Sequence, residues 1–276
     1  MTEDGACLVD SHCHLTLPDF EGDLEDVLHR ASEAGVTKLL VPGIDLDSSR
    51  HAVSLSGRYP QVYAAVGIHP HAASTWDENT ERQLIDLLRS ERVVAIGEIG
   101  LDFYRQLAPP ESQRAAFRAQ LRIAAERGLP VVIHNREAID EVLAIALDWA
   151  TGLTGSLAGR AGVMHAFSAD IESASRAVQA GFYIGIAGPI TYPKAQDRRD
   201  LAAQMPLNRL LVETDSPALP PQPFRGKRNE PSRVRIVAQA VADVRGISLA
   251  EAARATSENA TTLFSWEHGT DNSHIL

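Results

Sequence analysis

An alternation of short apolar segments with longer segments of helical spacing constrains the fold of this chain more than any other feature. Eight apolar segments, bounded by polar or glycine-containing stretches, are predicted to be strands. They lie at residues 8–13, 38–43, 62–68, 93–100, 130–134, 163–167, 181–188 and 209–215. Short, continuously apolar strands that alternate with helices are typical of parallel β-α units whose sheet is buried on both faces.

Segments with helical spacing follow the predicted strands. Their predicted bounds are 23–34, 46–58, 79–90, 111–127, 137–150, 194–204, 232–244 and 249–264, with another helix ending at residue 180. Eight β-α units in 276 residues predict a (β/α)8 TIM barrel that forms one domain over residues 1–276, with its core at about 8–264. A doubly wound open sheet is the alternative, but no Gly-x-Gly-x-x-Gly follows an early strand. Residues 267–276 are predicted to be a flexible tail.

The charge balance limits the ways in which this chain can bind a partner. It carries 36 acidic and 26 basic residues, for a formal net charge of −10. A protein that holds nucleic acid through its overall field is basic, so any nucleic-acid contact here must come from a small basic patch or from bound metal ions. There is no apolar run of membrane-spanning length, no basic and apolar leader, and only two cysteines, which together predict a cytoplasmic protein.

Metal-ligand residue types recur at the carboxyl ends of the predicted strands, where barrel enzymes form their active sites. His12 and His14 are two apart on one strand and therefore point to the same face. The other candidates follow later strands: Glu98, His134, His165 and Asp215. A buried side chain satisfied by hydrogen bonds is the simpler interpretation of any one of these residues alone. For all six together, we favour a metal centre.

The composition of this set predicts the kind of metal and the number of ions. Imidazole and carboxylate ligands without a thiolate suit Zn²⁺, Mn²⁺, Fe or Mg²⁺. Because six ligands exceed what one tetrahedral ion needs, we predict two ions bridged by a carboxylate. His12 and His14 are assigned to the first ion, His134 and His165 to the second, and Glu98 to the bridge. Asp215 is predicted to ligate the first ion and to accept a proton from its water, which makes Asp215 and Glu98 the catalytic candidates.

Residues on the substrate side are less sharply defined by the sequence. His69 follows the third strand and is a metal ligand or, as we prefer, a hydrogen-bond donor to a substrate oxygen. Arg136 is either a phosphate contact or a solvated residue at a helix start. Lys227 and Arg228 follow the eighth strand, where many barrels bind phosphate, although a charged surface loop explains them equally well. The aromatic pair at residues 103–104 is a candidate to stack on a nucleobase, with local packing as the alternative.

Several of these residues belong to blocks that resemble a known family. The blocks are 10–14 (DSHCH), 67–71 (GIHPH), 97–102 (GEIGLD), 165–168 (HAFS), 213–217 (ETDSP) and 225–231 (RGKRNEP), with Asn259 near the carboxyl terminus. Their residues and order are similar to those of the TatD family of metal-dependent deoxyribonucleases, within the amidohydrolase superfamily. The resemblance implies a TIM barrel, one to three metal ions and phosphodiester hydrolysis, typically as a 3′–5′ exonuclease on single-stranded DNA. It also implies the six ligands named above and a substrate-side role for residues 226–231.

The sequence therefore predicts a divalent-metal nuclease that uses Mg²⁺, Mn²⁺ or Zn²⁺ and acts on single-stranded DNA. No membrane association and no obligate protein partner are expected. A second hypothesis is hydrolysis of another ester, a lactone or an amide at the same metal centre, against which the basic Lys227-Arg228 loop favours phosphate. A third is a non-catalytic metal-binding barrel, against which the presence of Asp215 argues.

Overall fold

A computed structural model describes residues 7–266, and its sheet confirms the predicted barrel. The strands are β1 Leu8–Asp10, β2 Val36–Pro42, β3 Val62–Val66, β4 Val93–Asp102, β5 Val131–Arg136, β6 Gly162–Met164, β7 Phe182–Ile186 and β8 Leu210–Val212. Each strand pairs in parallel with the next strand along the chain, from β1 to β8. The predicted tail at residues 267–276 lies outside the described residues.

Nine α-helices within residues 7–266 surround the sheet or close its end. They are α1 Leu24–Glu33, α2 Leu46–Arg58, α3 Glu78–Leu87, α4 Pro110–Arg127, α5 Ile139–Thr151, α6 Ile171–Gln179, α7 Gln196–Gln204, α8 Val234–Arg245 and α9 Leu249–Phe264. Local capping explains several of the boundaries. Asp45 forms a capping box with Ser48 at the start of α2, and Gly128 ends α4 in the left-handed region at φ 66°.

Three strands end three residues earlier than their apolar pattern predicts, and all three are followed by candidate ligands. The predicted strands 8–13, 163–167 and 209–215 end at Asp10, Met164 and Val212. The backbone then turns out of the extended conformation, with positive φ angles of 43° at Ala166 and 53° at Asp215. The ladder therefore stops where the chain turns its polar side chains toward the mouth of the barrel.

Apolar side chains fill the barrel interior below that mouth. A buried cluster joins inward-facing strand residues to the end of the last helix: Val9, Leu40, Tyr63, Ala65, Val94, Ala95, Val132, Val163, Tyr183, Leu211, Ala260, Leu263, Phe264 and Trp266. The ring of Trp266 lies 4.9 Å from that of Tyr63. A second and larger cluster, which includes Cys13, packs the helices against the outer face of the sheet. Polar chemistry is consequently confined to the carboxyl end of the strands.

The seam between β8 and β1 is closed by residues just beyond the two strands. Backbone hydrogen bonds cross it from Ser11 to Val212 (3.2 Å), from Asp215 to His12 (2.9 Å) and from His14 to Ser216 (2.7 Å). The buried Asp10 carboxylate adds a side-chain link, because it accepts from Thr214 N at 2.9 Å and from Thr214 Oγ1 at 2.5 Å. Burial raises the pKa of Asp10 to about 8, against the opposing effect of these hydrogen bonds. Three candidate ligands thus lie directly on the seam that completes the barrel.

Candidate metal centre

Glu98, near the carboxyl end of β4, lies at the centre of a cluster of five histidines. Its side chain is buried, and its two oxygens face different neighbours. Oε2 lies 3.4 Å from His12 Nε2 and 3.3 Å from His14 Nε2. Oε1 lies 2.9 Å from His134 Nδ1, 3.3 Å from His165 Nε2 and 3.5 Å from His69 Nε2. This division between two groups of imidazoles is the arrangement that a bridging carboxylate requires.

The position of Glu98 depends on a close approach of β4 to β5. The ladder pairs Gly100 with His134 and continues to Asp102 and Arg136. Gly100 adopts φ 140°, and a Cβ atom there would lie 2.0 Å from the carbonyl oxygen of His134. Only glycine accepts both this backbone conformation and this contact. Gly100 therefore allows the register that places Glu98 beside His134.

His12, His14 and Asp215 form the first part of the cluster. The Nε2 atoms of the two histidines lie 3.1 Å apart. Asp215 Oδ1 is 3.7 Å from His12 Nε2 and 3.4 Å from His14 Nε2. The two histidines do project together, and the turn after β8 brings a carboxylate to them from the other side of the seam.

Ligand atoms in this region form three overlapping groups that could each hold an ion. The groups are His12, His14 and Glu98; His12, His165 and Asp215; and His69, Glu98 and His134. In each group the ligand atoms lie within 4.8 Å of one another. All six residues predicted as ligands therefore meet in one place, and His69 joins them. Imidazole nitrogens and carboxylate oxygens at this spacing fit a centre for divalent ions.

Two buried carboxylates behind the cluster orient His134 and His165. Asp102 Oδ2 lies 3.2 Å from His134 Nε2 and 2.8 Å from His71 Nε2. Glu213 Oε1 lies 3.2 Å from His165 Nδ1. Each carboxylate accepts a hydrogen bond from the outer nitrogen of its histidine. In the neutral ring the hydrogen therefore lies on the outer nitrogen, and the inner nitrogen has the free lone pair. That tautomer is the one that can ligate a metal ion.

The sequence analysis did not single out Asp102 or Glu213, although a signal for Glu213 was present. Glu213 precedes Asp215 by two residues, the spacing that places two side chains on one face of an extended chain. Its side chain is fully buried. Gly185 on β7 leaves room for it, since a Cβ atom there would lie 2.6 Å from Glu213 Oε2.

His69 has the opposite tautomer. Its Nδ1 accepts the backbone N–H of His71 at 3.1 Å, which places the ring proton on Nε2, the atom that faces Glu98. Burial lowers the pKa of His69 to about 4, although the charge of Glu98 opposes this shift. His69 is therefore a neutral ring with an N–H directed into the cluster, which suits a hydrogen-bond donor better than a ligand.

The carboxylates and histidines of the cluster shift one another's pKa values strongly. Burial lowers the pKa of His14, but hydrogen bonds to Asp215 and Glu98 outweigh it and raise the pKa to about 9. Burial raises the pKa of Glu98, but the charges of the surrounding histidines outweigh burial and hold this pKa well below its usual range. Without an ion, the carboxylates of Glu98 and Asp215 are anionic, and the raised pKa values of His14, His134 and His165 favour the protonated forms of those three rings. A divalent cation can replace those protons.

The predicted substrate-side cations lie around the same end of the barrel. Arg228 donates to both carboxylate oxygens of Asp23 at 2.7 Å, so it already has an ion-pair partner within the chain. Lys227 is exposed beside it. Arg136 is exposed at the end of β5, with its guanidinium 3.9 Å from the centre of the Tyr104 ring. Phosphate contacts by these three residues stay predictions.

Comparisons with known proteins give the relatives of this chain. The family model described as TatD related DNase matches residues 9–265. The metal-dependent hydrolase YabD of Bacillus subtilis is 38% identical over 93% of this chain and 98% of its own length. The 3′-5′ ssDNA/RNA exonuclease TatD of Escherichia coli K12 is 37% identical over 93% of this chain and 98% of its own length.

Solved structures lead to the same family. The crystal structure of the TatD homologue YjjV from E. coli K12 is similar to this chain with a TM-score of 0.87 and 36% identity. The similarity covers 94% of this chain and 98% of that one. A TatD family hydrolase from Entamoeba histolytica has a TM-score of 0.81 at 23% identity over 94% of this chain and 98% of its own, which supports the fold alone. With a family match over nearly its whole length and a histidine–carboxylate cluster at the barrel mouth, this chain belongs to the TatD related DNase family of metal-dependent hydrolases.

Proposed function

We propose that this chain is an exonuclease that hydrolyses phosphodiester bonds in single-stranded nucleic acid, with DNA as the main substrate. The observation that carries the proposal is the division of the two Glu98 oxygens between two groups of histidines, with Asp215 beside one group. Two ions that share a carboxylate suit in-line displacement at phosphorus, where an attacking and a leaving oxygen both need stabilisation. The exonuclease name of the relative from E. coli supports the same reaction and substrate class.

The residues of the cluster divide into two proposed ion sites that share Glu98. The first consists of His12, His14, Asp215 and Glu98 Oε2, and the second of His134, His165 and Glu98 Oε1. Mg²⁺, Mn²⁺ and Zn²⁺ are the proposed ions. When bound, such an ion lowers the pKa of a coordinated water and polarises a phosphoryl oxygen.

Asp215 is the proposed proton acceptor. Burial raises its pKa, but the hydrogen bond from His14 and the charges of His165 and His12 outweigh burial and hold the pKa below its usual range. The carboxylate is therefore ionised at neutral pH and able to take a proton. Its backbone N–H donates to the carbonyl of His12, which fixes its position relative to the first histidine pair.

His69 is proposed to bind the substrate rather than a metal ion. Its Nε2–H is directed into the cluster, and the ring stays neutral because burial lowers its pKa to about 4. A neutral N–H donor can hold a phosphate oxygen without competing with the cations for the carboxylates. Arg136, Lys227 and Arg228 are proposed contacts to the phosphates of the strand, and Arg228 would exchange its bond to Asp23 for one to phosphate.

Release of mononucleotides from a 3′-labelled single-stranded oligonucleotide tests this function. We expect release that requires Mg²⁺, Mn²⁺ or Zn²⁺ and that falls by roughly 10²- to 10⁴-fold in Asp215→Asn, which keeps the shape of the side chain but cannot accept the proton. Asp170→Asn, at the start of α6, is the matched control and should leave the rate unchanged. Absence of metal-dependent release, or equal activity of Asp215→Asn, would contradict the proposal. Activity on a panel of carboxylic esters, lactones and amides instead of DNA would favour the second hypothesis.

We further propose that the protein works in the cytoplasm. Its two cysteines are both free, with Cys7 exposed and Cys13 buried, as is usual in a reducing compartment. Among residues 7–266, no helix combines the length and the apolar character that a bilayer span requires. The absence of an obligate protein partner stays a prediction.

A further inference from the structure

An exposed aromatic ring stands beside the metal centre. Tyr104 follows β4 by two residues and is 57% exposed. The guanidinium of Arg136, at the end of β5, covers the ring at 3.9 Å from its centroid. Arg136 also follows His134 by two residues on the same strand, so both side chains are directed to the same side of the sheet. The stacked pair therefore lies at the rim of the mouth that contains the cluster.

Hydrogen bonds connect this stacked pair rigidly to the ligands. The backbone N–H groups of Tyr104 and Arg105 donate to Asp102 Oδ1 at 3.0 and 2.8 Å. The other oxygen of Asp102 faces His134 Nε2 at 3.2 Å. One buried carboxylate thus fixes both a proposed metal ligand and the turn that carries the ring. The backbone turn that carries the ring is thus fixed, while more than half of the tyrosine stays exposed to solvent.

Four other arginine–tyrosine stacks lie within residues 7–266, and in each of them the tyrosine is less exposed than Tyr104. Tyr59 and Tyr192 are half-buried, and Tyr63 and Tyr183 are buried. Arg92 stacks on Tyr63 and Arg209 on Tyr183, and those two rings are 9% and 4% exposed. Packing accounts for them, because they help to fill the barrel interior. Packing does not account for Tyr104, which leaves more than half of its surface to solvent at a fixed position.

We propose that Tyr104 and Arg136 form a stacking platform for an unpaired base of the substrate strand, close to the end that is cleaved. The inference rests on the proposed nuclease function and adds a site for the base. An exposed ring backed by a guanidinium offers a base a flat surface, and the positive charge attracts the adjoining phosphate. In a chain of net charge −10, such a local cation is needed to hold a polyanion near the mouth. Because every base has a π-face, the platform accepts all four bases and favours single strands over duplexes.

Kinetics on single-stranded oligonucleotides test the platform. Tyr104→Ala should raise the KM about ten-fold, which corresponds to the loss of one base stack, while Tyr104→Phe should keep the KM of the unaltered protein. Tyr59→Ala is the matched control, because Arg58 likewise stacks on Tyr59, at 5.0 Å, and both residues bond Glu25 rather than a residue of the histidine cluster. It should leave the KM unchanged.

Substrates with a single abasic site identify the base that is bound. The site is moved one position at a time through the last five nucleotides at the cleaved end. At one position, removal of the base should raise the KM of the unaltered protein about ten-fold and have no further effect on Tyr104→Ala. Fluorescence anisotropy of the same oligonucleotides with Asp215→Asn should show the same pattern in Kd.

The possible outcomes separate this proposal from the proposed function. If the unaltered protein releases nucleotides but Tyr104→Ala has an unchanged KM, or loses affinity equally at every abasic position, the platform is wrong and the nuclease function stands. If the unaltered protein releases no nucleotides with any of the three metals, both are wrong. A KM for Tyr104→Phe as high as that for Tyr104→Ala would also overturn the platform, because the hydroxyl and not the ring would then be the binding group.

Discussion

The two histidine pairs of the metal centre are held in place by different means. His134 and His165 each present one nitrogen to Glu98 and bond the other to a buried carboxylate, Asp102 or Glu213. His12 and His14 also present Nε2 to Glu98, but their Nδ1 atoms are buried with no hydrogen-bond partner among the residues that the structure describes.

Backbone contacts across the barrel seam take the place of the missing carboxylates. His12 accepts the N–H of Asp215 at 2.9 Å, and His14 donates to the carbonyl of Ser216 at 2.7 Å. The backbone N–H of His12 also donates to Asp10 Oδ1 at 3.3 Å. The orientation of the first pair therefore depends on closure of the barrel.

This difference has a physical consequence for metal binding. An outer carboxylate fixes the tautomer of its histidine and raises the basicity of the inner nitrogen, so the ligand is prepared before the ion arrives. His12 and His14 have no such partner at Nδ1 among the described residues, so no outer carboxylate fixes their tautomer or raises their basicity. We therefore expect side-chain substitutions to weaken the second site and changes at the seam to weaken the first.

Glu98→Gln should abolish metal binding at both proposed sites, so the difference between them disappears. The amide keeps the size of the side chain but supplies one neutral oxygen in place of two anionic ones, so neither site retains its shared ligand. We expect loss of both ions and at least a roughly thousand-fold fall in kcat/KM. Calorimetric titration with Mn²⁺ measures the loss, and Glu141→Gln, a surface partner of Arg114, is the control. Retention of one ion at normal affinity would show that Glu98 does not bridge.

Asp102→Asn and Glu213→Gln should each weaken the second site selectively. Loss of an outer carboxylate typically lowers metal affinity by about 10- to 100-fold. We expect a fall of about this size for the ion proposed to bind His134 and His165. The first ion should bind as before, since neither residue contacts His12 or His14. Titration with Mn²⁺ followed by electron paramagnetic resonance resolves the two ions. Equal weakening of both sites would mean that the two histidine pairs do not act separately.

Proton release on metal binding should also differ between the sites. Charges and hydrogen bonds from Glu98 and the outer carboxylates outweigh burial and raise the pKa values of His134 and His165, whereas in the first pair only His14 is raised, to about 9, and burial lowers the pKa of His12. Ligation needs neutral imidazoles, so at pH 7 the first ion should release about one proton, from His14, and the second should release more, because the pKa values of both of its histidines are raised.

Calorimetry in two buffers of different ionisation enthalpy counts these protons. Apparent affinity should rise with pH at both sites, more steeply at the second, and for the first site it should level off above about pH 9, where His14 is already neutral. In the ion-free chain, by contrast, the stability of the fold falls as the pH rises. The raised pKa of His14 contributes stability that is complete below pH 6.5 and is lost as the pH rises through 9. Equal proton counts at the two sites would contradict the assignment.

Thr214→Val should produce the smallest effect, and only at the first site. The substitution removes the Oγ1–H bond to Asp10 across the seam, which should cost about 1–3 kcal/mol in the free energy of unfolding. We expect affinity for the first ion to fall about two- to five-fold, because the seam that orients its histidines becomes slightly looser. Thr256→Val is the control, since that buried hydroxyl bonds only within α9. If Thr214→Val lowers the free energy of unfolding but leaves affinity for the first ion unchanged, closure of the seam does not orient the first histidine pair.

Much of the fold followed from local patterns in the sequence. Apolar runs broken by helices predicted the parallel strands, and both bounds of α2 and α9 match the prediction. The spacing of His12 and His14, together with metal-ligand residue types at the ends of later strands, predicted that six side chains would meet at the mouth of the barrel, and the structure brings them together there. The reason is that side-chain direction alternates along a strand and parallel strands end on one side. These are properties of single segments, which the sequence records directly. Ligation of metal by these six residues stays a prediction.

The arrangement behind the ligands was decided by the tertiary structure. Asp102 meets His71 across 31 positions and Glu213 meets His165 across 48, contacts that depend on strand register and on the space left by Gly100 and Gly185.

The same holds for Arg228, which the sequence offered as a phosphate contact and which the fold pairs with Asp23, 205 positions away. The amino-acid sequence thus determined which residues could ligate metal and on which end of the barrel. The closed sheet determined their outer partners and the division of the two Glu98 oxygens between two groups of histidines, because those depend on distances between segments that no local period encodes.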